Sequence, residues 1–104
     1  MGGFEVVRSS DPNTLVLSGE LDMATVPVLE AALAEALTAK GELTLDMRGV
    51  TFVDSRGVRA FIAASSQRGG TGPLRLIDVH EHVRRVFEIM GVEECDGLVI
   101  VPQD

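Results

Sequence analysis

The chain has 104 residues, 45% of them hydrophobic, which suits one compact domain with a single core and excludes both a second domain and a disordered chain. Nine Lys and Arg stand against 16 Asp and Glu, a net charge of −7, and the basic residues are scattered or at most paired, so nucleic acid is not an expected partner. No apolar run approaches the ~18 residues of a membrane span, no signal pattern opens the chain, and the one cysteine, Cys95, allows no internal disulfide; a soluble cytoplasmic protein is the expectation.

Phe4, Val6 and Arg8 alternate as a first strand. Ser9-Ser10-Asp11-Pro12-Asn13 is dense in turn formers, and residues 14–18 (TLVLS) form a second strand, so the two read as a hairpin with a longer loop than a tight turn. Gly19-Glu20-Leu21-Asp22 ends this strand. Thr25 is then a plausible helix N-cap, with Pro27 in the first turn, where its missing N–H does no harm. Val26, Leu29, Leu33, Ala36 and Leu37 follow the spacing of one apolar helix face, Glu30 and Glu35 lie off it, and Lys40-Gly41 closes the helix.

Residues 44–62 (TLDMRGVTFVDSRGVRAFI) begin as a strand and end as a helix. Leu43, Leu45 and Met47 alternate with polar residues; Val50, Phe52 and Val53 lead to Asp54-Ser55-Arg56-Gly57; Val58, Phe61 and Ile62 recur at helical spacing. Ser55 therefore sits on an exposed lip where a helix starts. Its hydroxyl has two compatible readings: an N-cap, or a phosphorylation site at a place where free N–H groups and the helix dipole tolerate a phosphate.

The second helix fades into a glycine-rich run, residues 67–73, which lacks the Gly-Lys-Ser/Thr of a phosphate-binding loop and reads as a flexible connection. Leu74–Ile77 is a strand, and Asp78 with Glu81 resembles a capping box opening a third helix. Val83, Val86, Phe87 and Met90 form its apolar face, Gly91 stops it, and residues 98–101 make a last short strand. The alternation predicts a single α/β domain over residues 1–104: one mixed sheet of about five strands, the first antiparallel, with three to four helices.

Independent catalysis is not expected. Ser55 has no base assigned to it by spacing, since His80 and His82 lie in the third-helix start, and Gly-x-Ser-x-Gly is absent. The two histidines lack the register of a metal pair, and Asp22, Asp46 and Asp54 have no fixed separation. No metal or cofactor is expected.

Gly19-Glu20-Leu21-Asp22 before a helix, the run from Leu45 through Asp54-Ser55-Arg56-Gly57, and the third-helix segment from Val83 to Val92 together resemble the STAS family, specifically the bacterial anti-sigma-factor antagonists. The likeness covers nearly the whole chain. It implies that Ser55 is phosphorylated by a partner that is both anti-sigma factor and serine kinase. A serine phosphatase reverses the modification, and the unphosphorylated form binds the anti-sigma factor and frees a sigma factor. Asp22 matches the family's acidic residue beside that site and Asp54 the acidic residue before the phosphoserine. Arg56 and Arg59 depart from the family pattern, which has small or hydroxyl residues there. Partner contact is expected at Asp22, Asp54, Arg56, Gly57 and Arg59, from a monomer or weak dimer. The alternative is a STAS-like sensory or scaffold module that binds a small ligand or a stress-complex partner without being switched.

Overall fold

A computed structural model describes residues 3–36, 41–68, 72–92 and 97–102. Leu37, Lys40 and Cys95, all read from the sequence above, lie outside them. Among these residues are five strands and three helices, alternating from the second strand on: β1 (Phe4–Arg8), β2 (Thr14–Leu21), α1 (Val26–Ala36), β3 (Leu43–Val53), α2 (Ser55–Arg68), β4 (Leu74–Ile77), α3 (Glu81–Ile89) and β5 (Leu98–Ile100). The sheet order is β1-β2-β3-β4-β5, with β1 antiparallel to β2 and every later pair parallel. The expected mixed sheet is present.

Each crossover moves one strand along in the same direction, and right-handed connections then place all three helices on one face. Period-two burial agrees: Leu15, Leu17, Leu43, Leu45, Met47, Leu74 and Leu76 point into the core, while Val16, Thr44, Asp46, Arg75 and Ile77 alternate with them on the other face. Helix α1 contributes Leu29 and Leu33, α2 contributes Val58, Phe61 and Ala64, and α3 contributes Val83 and Phe87. The Phe61 and Phe87 rings pack with centroids 5.6 Å apart, tying α2 to α3.

Strand β2 runs to Leu21, three residues beyond the sequence reading. Glu20 and Leu21 pair with Phe52 and Val53 after two register irregularities along β3. These bulges carry both strand ends to the same edge, where the two loops that matter leave the sheet.

Three capping expectations are corrected. Asp78 does not cap α3; it adopts a left-handed backbone (φ 55°) and pairs with Arg48 at 3.1 Å, and His80 occupies the N-cap position without a side-chain cap. The Thr25 hydroxyl does not reach forward into α1; it donates back to the Glu20 carbonyl at 2.7 Å and accepts the Asp22 N–H at 2.9 Å. Ser55 does not cap α2, as described below. Arg68, expected in a flexible connection, is buried at the end of α2. Its Nε donates to the Gly72 carbonyl at 3.0 Å and its Nη2 to the Gly41 carbonyl, and desolvation by burial lowers its pKa from the ordinary arginine value. One guanidinium thus joins the approaches to β3 and β4.

Candidate functional site

The site is built where β2 and β3 end side by side. The Asp54 N–H donates to the Leu21 carbonyl at 3.1 Å, so the loop after β2 and the start of α2 are stitched together directly. Each loop then opens with an aspartate doing the same work. Asp22 Oδ1 accepts the N–H groups of Ala24 at 2.9 Å and Thr25 at 3.1 Å. Asp54 Oδ1 accepts those of Arg56 at 2.9 Å and Gly57 at 3.1 Å, and the Asp54 carbonyl takes the Val58 N–H at 3.1 Å. Asp54 is therefore the N-cap of α2.

The expectation that Ser55 caps the helix is corrected by one position. The chain leaves β3 at Val53, and the next residue is the half-in residue whose carboxylate meets the second and third helical amides. Ser55 becomes the first helical residue. It is exposed, and among the described residues its Oγ has no hydrogen-bond partner. A hydroxyl freed from capping is available to an incoming group.

Gly57 is covered rather than presented. A Cβ there would lie 2.7 Å from Val53 Cγ2 and 2.8 Å from Leu21 Cδ2, so the residue lets the first turn of α2 sit tight on the ends of β2 and β3. Its backbone is thereby held against both strand ends, which fixes the position of Asp54 and Ser55. Arg56 and Arg59 are exposed and line one groove of about 470 Å³ between α1 and α2, with Met23, Pro27 and Glu30.

Two apolar side chains that the sequence reading did not assign to the site also lie at this edge. Met23 is 64% exposed in the loop after Asp22, and Phe52, paired with Glu20 at the end of β3, is 47% exposed. The signal for Met23 was its position outside the helical periodicity. Phe52 was hidden inside an apolar run, and only the bulge turns it outward.

The histidines do not converge on Ser55, and neither does Asp46. His80 Nε2 lies 2.7 Å from the Arg48 carbonyl and His82 Nε2 2.7 Å from the Thr51 carbonyl, the two rings stacked with centroids 5.7 Å apart. Both histidines thus clamp α3 to the bulged part of β3. Asp46 lies on the open sheet face beside Val16 and Ile77, its Oδ1 accepting the Arg48 N–H at 2.9 Å. Among the described residues no group of three or more His, Cys, Asp or Glu is arranged to hold a metal ion, and no helix is long and apolar enough to cross a membrane.

The fold and site define a small α/β module with an exposed serine at a helix start beside two aspartate-capped loops. The family model described as Mlab, STAS domain, matches residues 4–102, and the chain belongs to the STAS-domain family. Among its relatives is an anti-sigma-B factor antagonist of Listeria monocytogenes, 30% identical over 89 residues, covering 84% of this chain and 78% of that protein. The anti-sigma-B factor antagonist of Bacillus subtilis is 27% identical over 91 residues, covering 86% and 84% respectively. The crystal structure of an anti-sigma factor antagonist from Mycobacterium paratuberculosis superimposes with a TM-score of 0.79 at 23% identity, over 92% of this chain and 85% of that one, which is a likeness of fold.

Proposed function

We propose that this protein is an anti-sigma factor antagonist switched by phosphorylation of Ser55. The unmodified surface around Ser55 docks onto an anti-sigma factor that is also a serine kinase, and docking releases the sigma factor. On the kinase, Ser55 Oγ bonds to the terminal phosphorus of ATP as the bond from that phosphorus to ADP breaks; ADP and the hydroxyl proton depart, and the complex weakens. A serine phosphatase restores the hydroxyl.

The observation that carries this reading is the free, exposed Ser55 hydroxyl one residue past the Asp54 cap. Relatives named for antagonism of an anti-sigma factor support the partner class. Exposed Met23 and Phe52 supply apolar surface that an incoming protein would cover, and the Asp22 and Asp54 loops supply charge around it. A phosphate adds about −1.5 to −2 charge at an edge where Asp22 and Asp54 stand with Arg56 and Arg59, and so turns its balance negative. Like charges brought together at an interface cost several kcal/mol, whereas a 100-fold loss of affinity needs only ~2.7 kcal/mol. A change of charge therefore suffices, with no refolding.

Incubation with the anti-sigma kinase and ATP tests it. The intact mass is expected to rise by ~80 Da, the mass of one phosphoryl addition, and to stay unchanged in Ser55→Ala. An unchanged mass in the parent protein, or a modification surviving in Ser55→Ala, contradicts the reading.

A further inference from the structure

The positive charges of this acidic chain are distributed unevenly. Among the described residues, Arg48, Arg75 and Arg85 pair with Asp78, Glu42 and Glu81. Arg68 and Arg84 donate to backbone carbonyls. Arg8, Arg56 and Arg59 are left without a side-chain partner, and Arg8 lies opposite Leu15, near the far end of β2 from the site. Both remaining uncommitted cations of the described chain flank Ser55.

A phosphate on Ser55 would meet a specific environment. The amides of Arg56 and Gly57, which a phosphate at a helix start would otherwise engage, are already taken by Asp54 Oδ1. Asp54 itself sets a carboxylate beside the new dianion. Of the first-turn amides only Ser55's own N–H is without a partner among the described residues, so a full counter-charge has to come from side chains. Position 59 is four residues on from position 55 in the same helix, so the two side chains stand one above the other, about 5–6 Å apart at Cβ. Arg56 is the next residue in sequence and points roughly a quarter-turn away. A guanidinium is also the cation best shaped to meet two phosphate oxygens at once.

We propose that Arg59 is the counter-ion of phosphorylated Ser55. The phosphate and the guanidinium one turn along α2 close an ion pair within the chain. Phosphorylation thereby withdraws Arg59 from the groove it lines with Met23 and Pro27, as well as adding anionic charge. The inference rests on the reading of Ser55 as the modified residue.

The test needs no kinase. Phosphoserine is installed at position 55 during synthesis, and the phosphorus NMR resonance is followed against pH. Asp22, Asp54 and Glu30 raise the second phosphate pKa, and Arg56 and Arg59 lower it, so the comparison between variants is the readout. Arg59→Gln is expected to raise that pKa by about 0.15–0.4 unit, a surface i,i+4 ion pair expressed as a titration shift. Arg59→Lys restores part of the difference, and Arg8→Gln changes nothing. The Arg59 Nε–H signal is expected to move on phosphorylation. Equal titration of the parent, Arg59→Gln and Arg8→Gln proteins overturns the proposal, as does a shift produced by Arg56→Gln alone. An unshifted titration with partner capture still lost on phosphorylation removes the ion pair and leaves the proposed function standing. A shifted titration with capture undiminished does the reverse.

Discussion

Gly57→Ala offers the most direct probe of how the site is held. The added methyl would meet Val53 Cγ2 at 2.7 Å, Leu21 Cδ2 at 2.8 Å and Leu21 Cγ at 2.9 Å. Leu21 is fully buried and Val53 is 3% exposed, so neither side chain can swing into solvent to make room. Overpacking of this kind costs about 1–3 kcal/mol. Alanine returns up to about 1 kcal/mol through its better helix propensity, less so in a first turn. A net destabilisation of about 1–2 kcal/mol is expected, which for a domain of this size lowers the thermal midpoint by about 5–10 °C. Urea unfolding followed by circular dichroism measures it. Amide signals of Asp22, Asp54 and Ser55 should move together, because the start of α2 must shift off both strand ends. A variant as stable as the parent, with those signals in place, would refute the claim that glycine is needed for this close approach.

Asp54→Ala should lose about 1 kcal/mol in urea unfolding by leaving the Arg56 and Gly57 amides without their cap, and Asp54→Asn should recover most of it. Arg68→Met should cost about 2 kcal/mol, because the Gly41 and Gly72 carbonyls lose their common donor; Arg68→Lys should recover only part, because its single nitrogen cannot occupy the positions of both Nε and Nη2. Ser55→Ala and Ser55→Asp should both stay within about 0.5 kcal/mol of the parent in thermal unfolding, since the side chain is exposed and uncommitted. A large loss in either would assign Ser55 a structural role.

The sheet was readable because Leu43, Leu45 and Met47 bury every second residue, and because apolar faces at helical spacing separate the strands. The stop of α3 at Gly91 was readable too: the glycine has φ 72° and its N–H reaches the Glu88 carbonyl at 3.0 Å. The capping details were not. Asp54 and Ser55 are both good caps and adjacent, and what chooses between them is the pairing of Val53 with Leu21, distant in sequence. Gly57 likewise reveals its reason only once Leu21 is packed beneath it. Arg68 has the composition of a solvated helix end, and its burial depends on a carbonyl 27 residues away. Ser55, Asp22 and Asp54 were found from local pattern and resemblance; their stitching through the Leu21 carbonyl required the fold.

The central claim is that one covalent change at an exposed hydroxyl turns docking off. Calorimetric titration of the anti-sigma factor kinase with the unmodified protein, and with the same protein carrying phosphoserine at position 55, measures it directly. Saturable binding of the first, and at least about 100-fold weaker binding of the second, is the predicted pair of results. Equal affinity for both forms would contradict the account.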